Sequence, residues 1–244
     1  MSNSKLNDIL SEINKTRPAI KSFAPSAGKD VELTPLTLAQ QKLIIETTSD
    51  QSLGVLFFNT IFYKILKENL RDDINNYNTV DRVPLTLSLR RYMKDDIELD
   101  SGATVKISDI FNNYSQIKYD IEPVVIESEN YTFYVKAPNL TLDNQVNTLL
   151  LNKYKNISLD QNKLKTLISD LYTYEILKFI EKLTINEHEF EVKPQESSLR
   201  VIESIGSNHF KDIIEYINNV RDVEVKYSKL ENDAIDITPE LFIV

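Results

Sequence analysis

The residues whose spacing most suggests chemistry are three acids, Asp96, Glu98 and Asp100. Their alternation matches the first ligands of a calcium-binding EF-hand loop. Such a loop also needs glycine at its sixth position and a bidentate glutamate at its twelfth, and this chain has Ser101 and Ile107 there. We therefore predict that the three acids lie on the solvent face of a strand and that the chain holds no metal.

The chain lacks the residues on which nucleophilic catalysis, zinc binding and nucleotide binding usually depend. The chain has no cysteine and two histidines, His188 and His209, which we interpret as an exposed hairpin residue and a polar residue at a helix start. Its four glycines lie far apart, and the step Ala27-Gly28-Lys29-Asp30 lacks the upstream glycine and the hydroxyl of a phosphate-binding loop. The pattern predicts no cofactor and no catalytic residues.

Pairs of adjacent acids leave one enzymatic alternative open. Asp72–Asp73 and Asp95–Asp96 could perform acid–base work if a pocket held the two carboxylates in different environments. A small hydrolase or transferase built around Asp95, Asp96 and Asp100 is the chief alternative to a chain that catalyses no reaction. Adjacent acids are usually solvated, so we predict that the protein is not an enzyme.

Composition argues against several kinds of partner. The 244 residues include 28 Lys and Arg against 37 Asp and Glu, and the net charge of −9 repels nucleic acid and anionic membranes. The most apolar stretch, Leu53 to Leu66, is shorter than the roughly 20 residues that span a bilayer. The lack of cysteine suits a reducing cytoplasm, or a particle assembled there. Protein–protein interaction remains, and 12 tyrosines and 10 phenylalanines are typical of it.

The first 35 residues divide into a helix and an arm. Four apolar residues recur at helical spacing and predict a short amphipathic helix: Leu6, Ile9, Leu10 and Ile13. From Thr16 to Pro35 three prolines and a glycine interrupt any period, which predicts an extended arm with turns and no regular element. We assign residues 1–35 to the helix and arm, and residues 36–244 to an α+β domain with an apolar carboxyl-terminal tail.

The pattern of the larger part predicts an α+β fold in which amphipathic helices pack with short antiparallel β-hairpins. Helical spacing predicts helices at 37–47, 52–73, 141–154, 160–183, 196–205 and 207–220. We expect Gly206 to cap one helix end and Ser108 to cap the start of a short helix to Tyr114. Alternation across turns predicts hairpins at 97–107, 123–138 and 183–192. Alternating apolar residues also predict a strand within 82–96.

Two segments are predicted to contact partners. We expect the arm to lie against a partner subunit, because its prolines prevent it from satisfying its own backbone groups in a helix. The tail needs a cover, either the protein's own core or a neighbouring subunit, and we favour the neighbour because Pro239 interrupts the preceding run. The predicted partner-binding residues are Phe23, Pro25, Ser26, Gly28, Pro35, Leu36, Leu241, Phe242, Ile243 and Val244.

The arm also resembles the start of a known family, the baseplate hub family of T-even-like myophages. In that family a Pro-Ser-x-Gly turn precedes a short extended run, a Pro-Leu-Thr step and an amphipathic helix. The matching segments of this chain are Ala24-Pro25-Ser26-Ala27-Gly28, Val31-Glu32-Leu33 and Pro35-Leu36-Thr37. The tail is similar to the family's hydrophobic, aspartate-containing end through Ile235-Asp236-Ile237 and Phe242.

The resemblance implies a virion protein of the tail baseplate, assembled in the host cytoplasm. Such a hub subunit binds other phage tail and baseplate proteins in a hetero-oligomeric assembly and catalyses no reaction. Two further alternatives stay open beside the hydrolase: a baseplate assembly factor absent from the mature particle, and an intracellular adaptor unrelated to any phage.

Overall fold

The structure, a computed structural model, describes residues 3–49, 53–99, 102–155, 161–230 and 233–243. Over this part of the chain the predicted α+β fold is confirmed. The helices are α1 (Asn3–Thr16), α2 (Leu38–Glu46), α3 (Gly54–Asn69), α4 (Arg82–Met93), α5 (Ile107–Asn112), α6 (Leu140–Tyr154), α7 (Gln161–Leu177), α8 (Glu196–Glu203) and α9 (Lys211–Ser228). The strands are β1 (Ile20–Ala24), β2 (Lys29–Leu33), β3 (Asp96–Glu98), β4 (Thr104–Lys106), β5 (Val124–Ser128), β6 (Tyr131–Val135), β7 (Ile180–Ile185), β8 (His188–Glu191), β9 (Lys229–Leu230) and β10 (Asp233–Ala234).

The described strands form one antiparallel sheet in the order β5-β6-β7-β8 and three separate antiparallel pairs. All three predicted hairpins are confirmed: β3 with β4, β5 with β6, and β7 with β8. Left-handed residues turn the last two, with φ of 51° at Glu129 and 54° at Asn186. In the first hairpin Gly102 has a φ of 79°, and its neighbours Asp100 and Ser101 lie outside the described residues.

The predicted arm is a β-hairpin. β1 and β2 pair antiparallel, with Ala24 opposite Lys29, and a short 3-10 helix at Pro25–Ala27 ends at Gly28 with a φ of 61°. The segment is extended as expected, but the prediction that it has no regular element is wrong. The hairpin packs on α4, and its residues Ala24 and Leu33 belong to the same core as the rest of the chain.

Residues 82–93 form the helix α4, so the strand predicted there is wrong. The side chains from Val83 to Arg90 are all buried. A helix that is buried on every side has no polar face, so its sequence shows no helical period. Alternating leucines in such a helix therefore do not indicate a strand. Pro84 lies in the first turn, where a backbone N–H would have no partner within the helix.

Three helix ends differ from the prediction. α7 ends at Leu177 instead of near residue 183, because the next residues form β7 and pair with β6. Ser204 holds the C-cap position of α8, and Gly206 follows with an ordinary φ of −59°. Ser108 does not cap α5 but lies inside it, and its N–H and hydroxyl both donate to Asp95.

The core lies where the central helices meet the arm hairpin and the sheet. α3 packs on α6, and α4 contacts both β1 and α9. The predictions of α2, α3 and α6 are confirmed within a few residues, and α9 continues to Ser228 beyond the predicted end at Val220. Among the helices of the described ranges, none has the length and apolar character that crossing a bilayer requires.

Candidate protein-binding surfaces

The apolar face of α1 is left uncovered by the part of the chain that the structure describes. Every described side chain in residues 5–16 is exposed. The exposed fraction runs from 39% for Ile9 to 53% for Ile13, with Leu6 and Leu10 between them. These four side chains fall within an arc of about 100°, because residues three and four apart share one face of a helix. We call them the α1 stripe.

A second apolar face lies on α7. Four of its side chains are exposed by 38% to 59%: Leu164, Ile168, Leu171 and Tyr172. We call these four the α7 stripe. Leu167 and Leu177 of the same helix are buried and hold α7 on the core. A groove of about 300 Å³ separates the α7 stripe from α9, whose residues Ile214 and Ile217 line it.

The residues predicted to bind partners through the arm do not form an exposed patch. Pro25 and Pro35 are buried, and Phe23 and Leu36 are half-buried. Gly28 is exposed at the turn of the hairpin. The expectation that the arm needs a partner for its backbone groups is wrong, because β1 and β2 pair with each other.

Ser26, the remaining arm residue, is half-buried and binds Asp81, a carboxylate without exposed surface. Burial raises the pKa of Asp81, while the hydrogen bonds from Ser26 and from the N–H of Asn78 hold the pKa down in part. The arrangement ties the turn of the arm to the 3-10 helix Thr79–Asp81. It also keeps the carboxylate away from any substrate in solution.

The carboxyl-terminal tail closes the fold. The side chain of Phe242 has no exposed surface, and its ring centroid lies 5.5 Å from that of Phe62 in α3. Gln41 donates to the carbonyl of Phe242 at 3.1 Å. The buried guanidinium of Arg90 donates to the carbonyl of Leu241. Side chains of α2, α3 and α4 therefore hold the tail in place.

The prediction that a neighbouring subunit covers the tail is wrong for Leu241 and Phe242, which are buried in the protein's own core. Pro239 begins a 3-10 helix that leads the tail inward, and does not turn it away. Ile243 is exposed by 56%, and Val244 lies outside the described residues.

The described acids that were considered for calcium binding or hydrolysis lie on the protein surface or bind neighbouring residues of the fold. Both oxygens of Asp95 accept from Ser108, at 3.0 Å from the N–H and 2.7 Å from the hydroxyl, so Asp95 serves the start of α5. Asp96 and Glu98 lie on the outer face of β3, as predicted, and Asp100 is outside the described residues. Within the described ranges no three His, Cys, Asp or Glu side chains are placed to hold a metal ion.

The two histidines occupy the predicted kinds of position. His188 is exposed in β8. His209 lies in a 3-10 helix before α9, with Nδ1 2.8 Å from the hydroxyl of Ser128 and its ring 4.8 Å from that of Tyr131. These contacts join α9 to the sheet.

A cleft of about 760 Å³ lies between α6, the sheet and residues 75–78. Several of its charged side chains are paired with each other. Lys136 binds Glu181, and Lys193 binds Glu191 at 2.9 Å. Pairs of this kind neutralise each other within the protein, so the cleft presents little net charge to a ligand.

Asp143 of α6 is the centre of an ion network at the edge of this cleft. It accepts from Arg82 at 2.9 Å and from Lys178 at 2.7 Å. Burial alone would raise the pKa of Asp143, but the charges of Lys178 and Arg82 outweigh burial, and the pKa lies below its usual value. Burial lowers the pKa of Lys178, yet Asp143 and Glu175 raise it overall. Asp143 and Lys178 therefore each favour the charged form of the other.

Comparison with known protein families, curated proteins and solved structures finds no match for the chain. The candidate surfaces therefore rest on the geometry of this chain alone. The sequence predicts the amphipathic face of α1 but not its exposure, and it predicts a helix that contains the α7 stripe without indicating which of its apolar residues are exposed. The signal that could have identified α1 is its position before a proline-interrupted segment, which leaves it no adjacent helix to pack on.

Proposed function

We propose that this chain is a non-enzymatic structural protein of a bacteriophage tail baseplate, at its hub, and that it works by binding neighbouring baseplate proteins. The exposed α1 stripe carries the binding part of the proposal. The similarity of the arm sequence to the baseplate hub family of T-even-like myophages carries the baseplate part.

The stability of α1 is the physical reason to expect a partner. A helix of 14 residues that stands alone is marginally stable in water, since nucleation is costly and few hydrogen bonds follow. Covering one large apolar side chain contributes roughly 1.5–3 kcal/mol. A partner that covers the four residues of the α1 stripe would therefore supply the stabilisation that the described residues of this chain do not.

A baseplate assembly factor that leaves the mature particle is the second candidate. It would bind baseplate proteins through the same α1 stripe. The marginal stability of α1 favours it, because ordering a helix on binding consumes part of the interaction free energy and makes the complex easier to reverse.

Purified particles and their assembly intermediates test the proposal. We expect mass spectrometry to detect the chain in particles, and we expect chemical crosslinks from Lys5 and Lys15 of α1 to a neighbouring subunit of the baseplate. Detection in intermediates but not in particles would favour the assembly factor. A chain that is found in neither would contradict both candidates.

A pair of variants tests the role of α1. Ile9→Glu with Ile13→Glu places two charges in the α1 stripe and should abolish incorporation into particles. Val225→Glu alters an exposed apolar residue of α9 that is 48% exposed, and it should leave incorporation unchanged. Equal incorporation of both proteins would remove α1 from the proposal.

A further inference from the structure

We propose that the α1 stripe of one copy of this chain packs antiparallel on the α7 stripe of a second copy. The inference rests on the proposed function, because it names a partner for the same exposed surface. Both stripes extend over about two turns of helix and present large, exposed apolar side chains. Each stripe therefore offers a surface of the length that the other needs.

The spacing of the two stripes matches when the helices run in opposite directions. Read forwards, three apolar residues of α1 are separated by three and then four positions: Leu6, Ile9 and Ile13. Read backwards, three apolar residues of α7 are separated in the same way: Leu171, Ile168 and Leu164. In this register every pair meets at the same level, with Ile9 on Ile168 at the centre.

Charge favours the same register. It brings Glu12 of one copy to the level of Lys165 of the other, an exposed lysine that flanks the α7 stripe. Glu12 also pairs with Lys15 of its own helix at 2.8 Å, but both side chains are exposed and such a pair contributes little. Opposite charges at the rim of an apolar contact select its register and its partner. The antiparallel orientation also places the helix dipoles in opposite directions.

The acceptor surface is more than a single convex helix. Leu171 and Tyr172 also line the groove of about 300 Å³ between α7 and α9. A helix laid along α7 at this edge can therefore contact both helices, as in other helix-in-groove complexes. The rim of the groove is fixed by an ion pair of 3.1 Å between Arg221 and Glu175.

The proposed contact joins two different surfaces, so each copy has one donor and one acceptor. Contacts of this kind build closed rings or open chains, unless two copies exchange α1 reciprocally. Because each copy carries a net charge of −9, long-range repulsion opposes their encounter at low salt. Physiological salt screens this repulsion beyond about 8 Å, so the contact is best measured there.

Light scattering on the purified chain at physiological salt, over a range of concentrations, tests the contact. We expect the average mass to rise above the 28.2 kDa of one chain as the concentration increases. Ile9→Glu in the α1 stripe and Ile168→Glu in the α7 stripe should each weaken association by at least about tenfold, because each buries a charge in an apolar contact. Val225→Glu is the matched control and should associate like the wild type.

Mixing the two variants gives a sharper test. The Ile9→Glu chain keeps an intact α7 stripe, and the Ile168→Glu chain keeps an intact α1 stripe, while the two altered stripes would bring like charges together and cannot pair. An equal mixture should therefore form a complex of one copy of each and nothing larger. Failure of the mixture to associate, with both variants folded by circular dichroism, would overturn the pairing of α1 with α7.

The register has its own test. Glu12→Lys should weaken association, and Lys165→Glu in the same chain should restore it. Failure of Lys165→Glu to restore association would overturn the register. A wild type that stays at 28.2 kDa at every concentration would overturn the inference as a whole. That result would leave the proposed function standing if the chain still enters particles through α1.

Discussion

Ser26 donates two hydrogen bonds to the buried carboxylate of Asp81, one from its backbone N–H at 2.8 Å and one from its hydroxyl. A third comes from the N–H of Asn78 at 2.8 Å. The turn of the arm hairpin is therefore fastened to a loop 55 residues further along the chain. This contact makes the arm part of the folded domain.

Asp81→Ala should destabilise the protein by about 3 kcal/mol, because the substitution leaves two partly buried N–H groups and a hydroxyl without an acceptor. Chemical denaturation measures the change. Asp30→Ala, which alters an exposed residue of the same hairpin, should have little effect. A loss of stability for Asp30→Ala as large as for Asp81→Ala would show that the hairpin, and not the carboxylate, determines the result.

Hydrogen exchange of the isolated chain should separate the arm from α1. We expect the amides of β1 and β2 to be protected to the same degree as those of α3, because the hairpin is paired and packed on α4. The amides of α1 should exchange nearly as fast as those of an unfolded peptide while its stripe is uncovered. Fast exchange of the hairpin would contradict the described packing.

The sequence predicts elements well where one face of the chain is buried and the other is solvated. The hairpins β5–β6 and β7–β8 alternate in this way, and both form close to the predicted ranges 123–138 and 183–192. The sequence of α4 predicts a strand, because burial on all sides removes the helical period from its pattern of apolar residues. The sequence does not predict that α7 ends before β7 begins. The helix ends there because β7 pairs with β6, which is distant in sequence.

The candidate surfaces were predictable only in part, for a related reason. Apolar residues at helical spacing occur equally in α1, α3 and α7, and the spacing does not reveal which stripe the rest of the chain covers. Phe242 is covered by Phe58 and Phe62, nearly two hundred positions earlier in the chain. No local pattern around the tail indicates that contact.

The tail should contribute to the stability of the isolated chain. Phe242→Ala should cost about 3–5 kcal/mol, because it leaves a cavity beside the ring of Phe62. Ile243→Ala, at the next position, should change stability by no more than about 0.5 kcal/mol, since that side chain is 56% exposed. Thermal unfolding of both variants measures the difference. Equal stability of the two would mean that the tail is not docked in solution.

The ion network around Asp143 predicts a dependence of stability on pH. The pKa of this carboxyl is lower in the folded chain than in the unfolded chain, mainly because the charges of Lys178 and Arg82 outweigh burial. Its contribution to stability is therefore fully present above the unfolded pKa of about 4 and is lost as the pH falls through the folded pKa.

Asp143→Asn removes this contribution. At neutral pH the variant should be less stable than the wild type by about 3–5 kcal/mol, since it leaves Lys178 and Arg82 with less compensating charge in a buried position. The difference between the two proteins should stay constant from about pH 5 to 8 and should narrow below about pH 4. Glu196→Gln, which breaks an exposed pair with Arg200, is the control and should show no such trend. Denaturation curves measured at each pH give the comparison, and a difference for Asp143→Asn that is the same at pH 3 and pH 7 would show that its charge does not stabilise the fold.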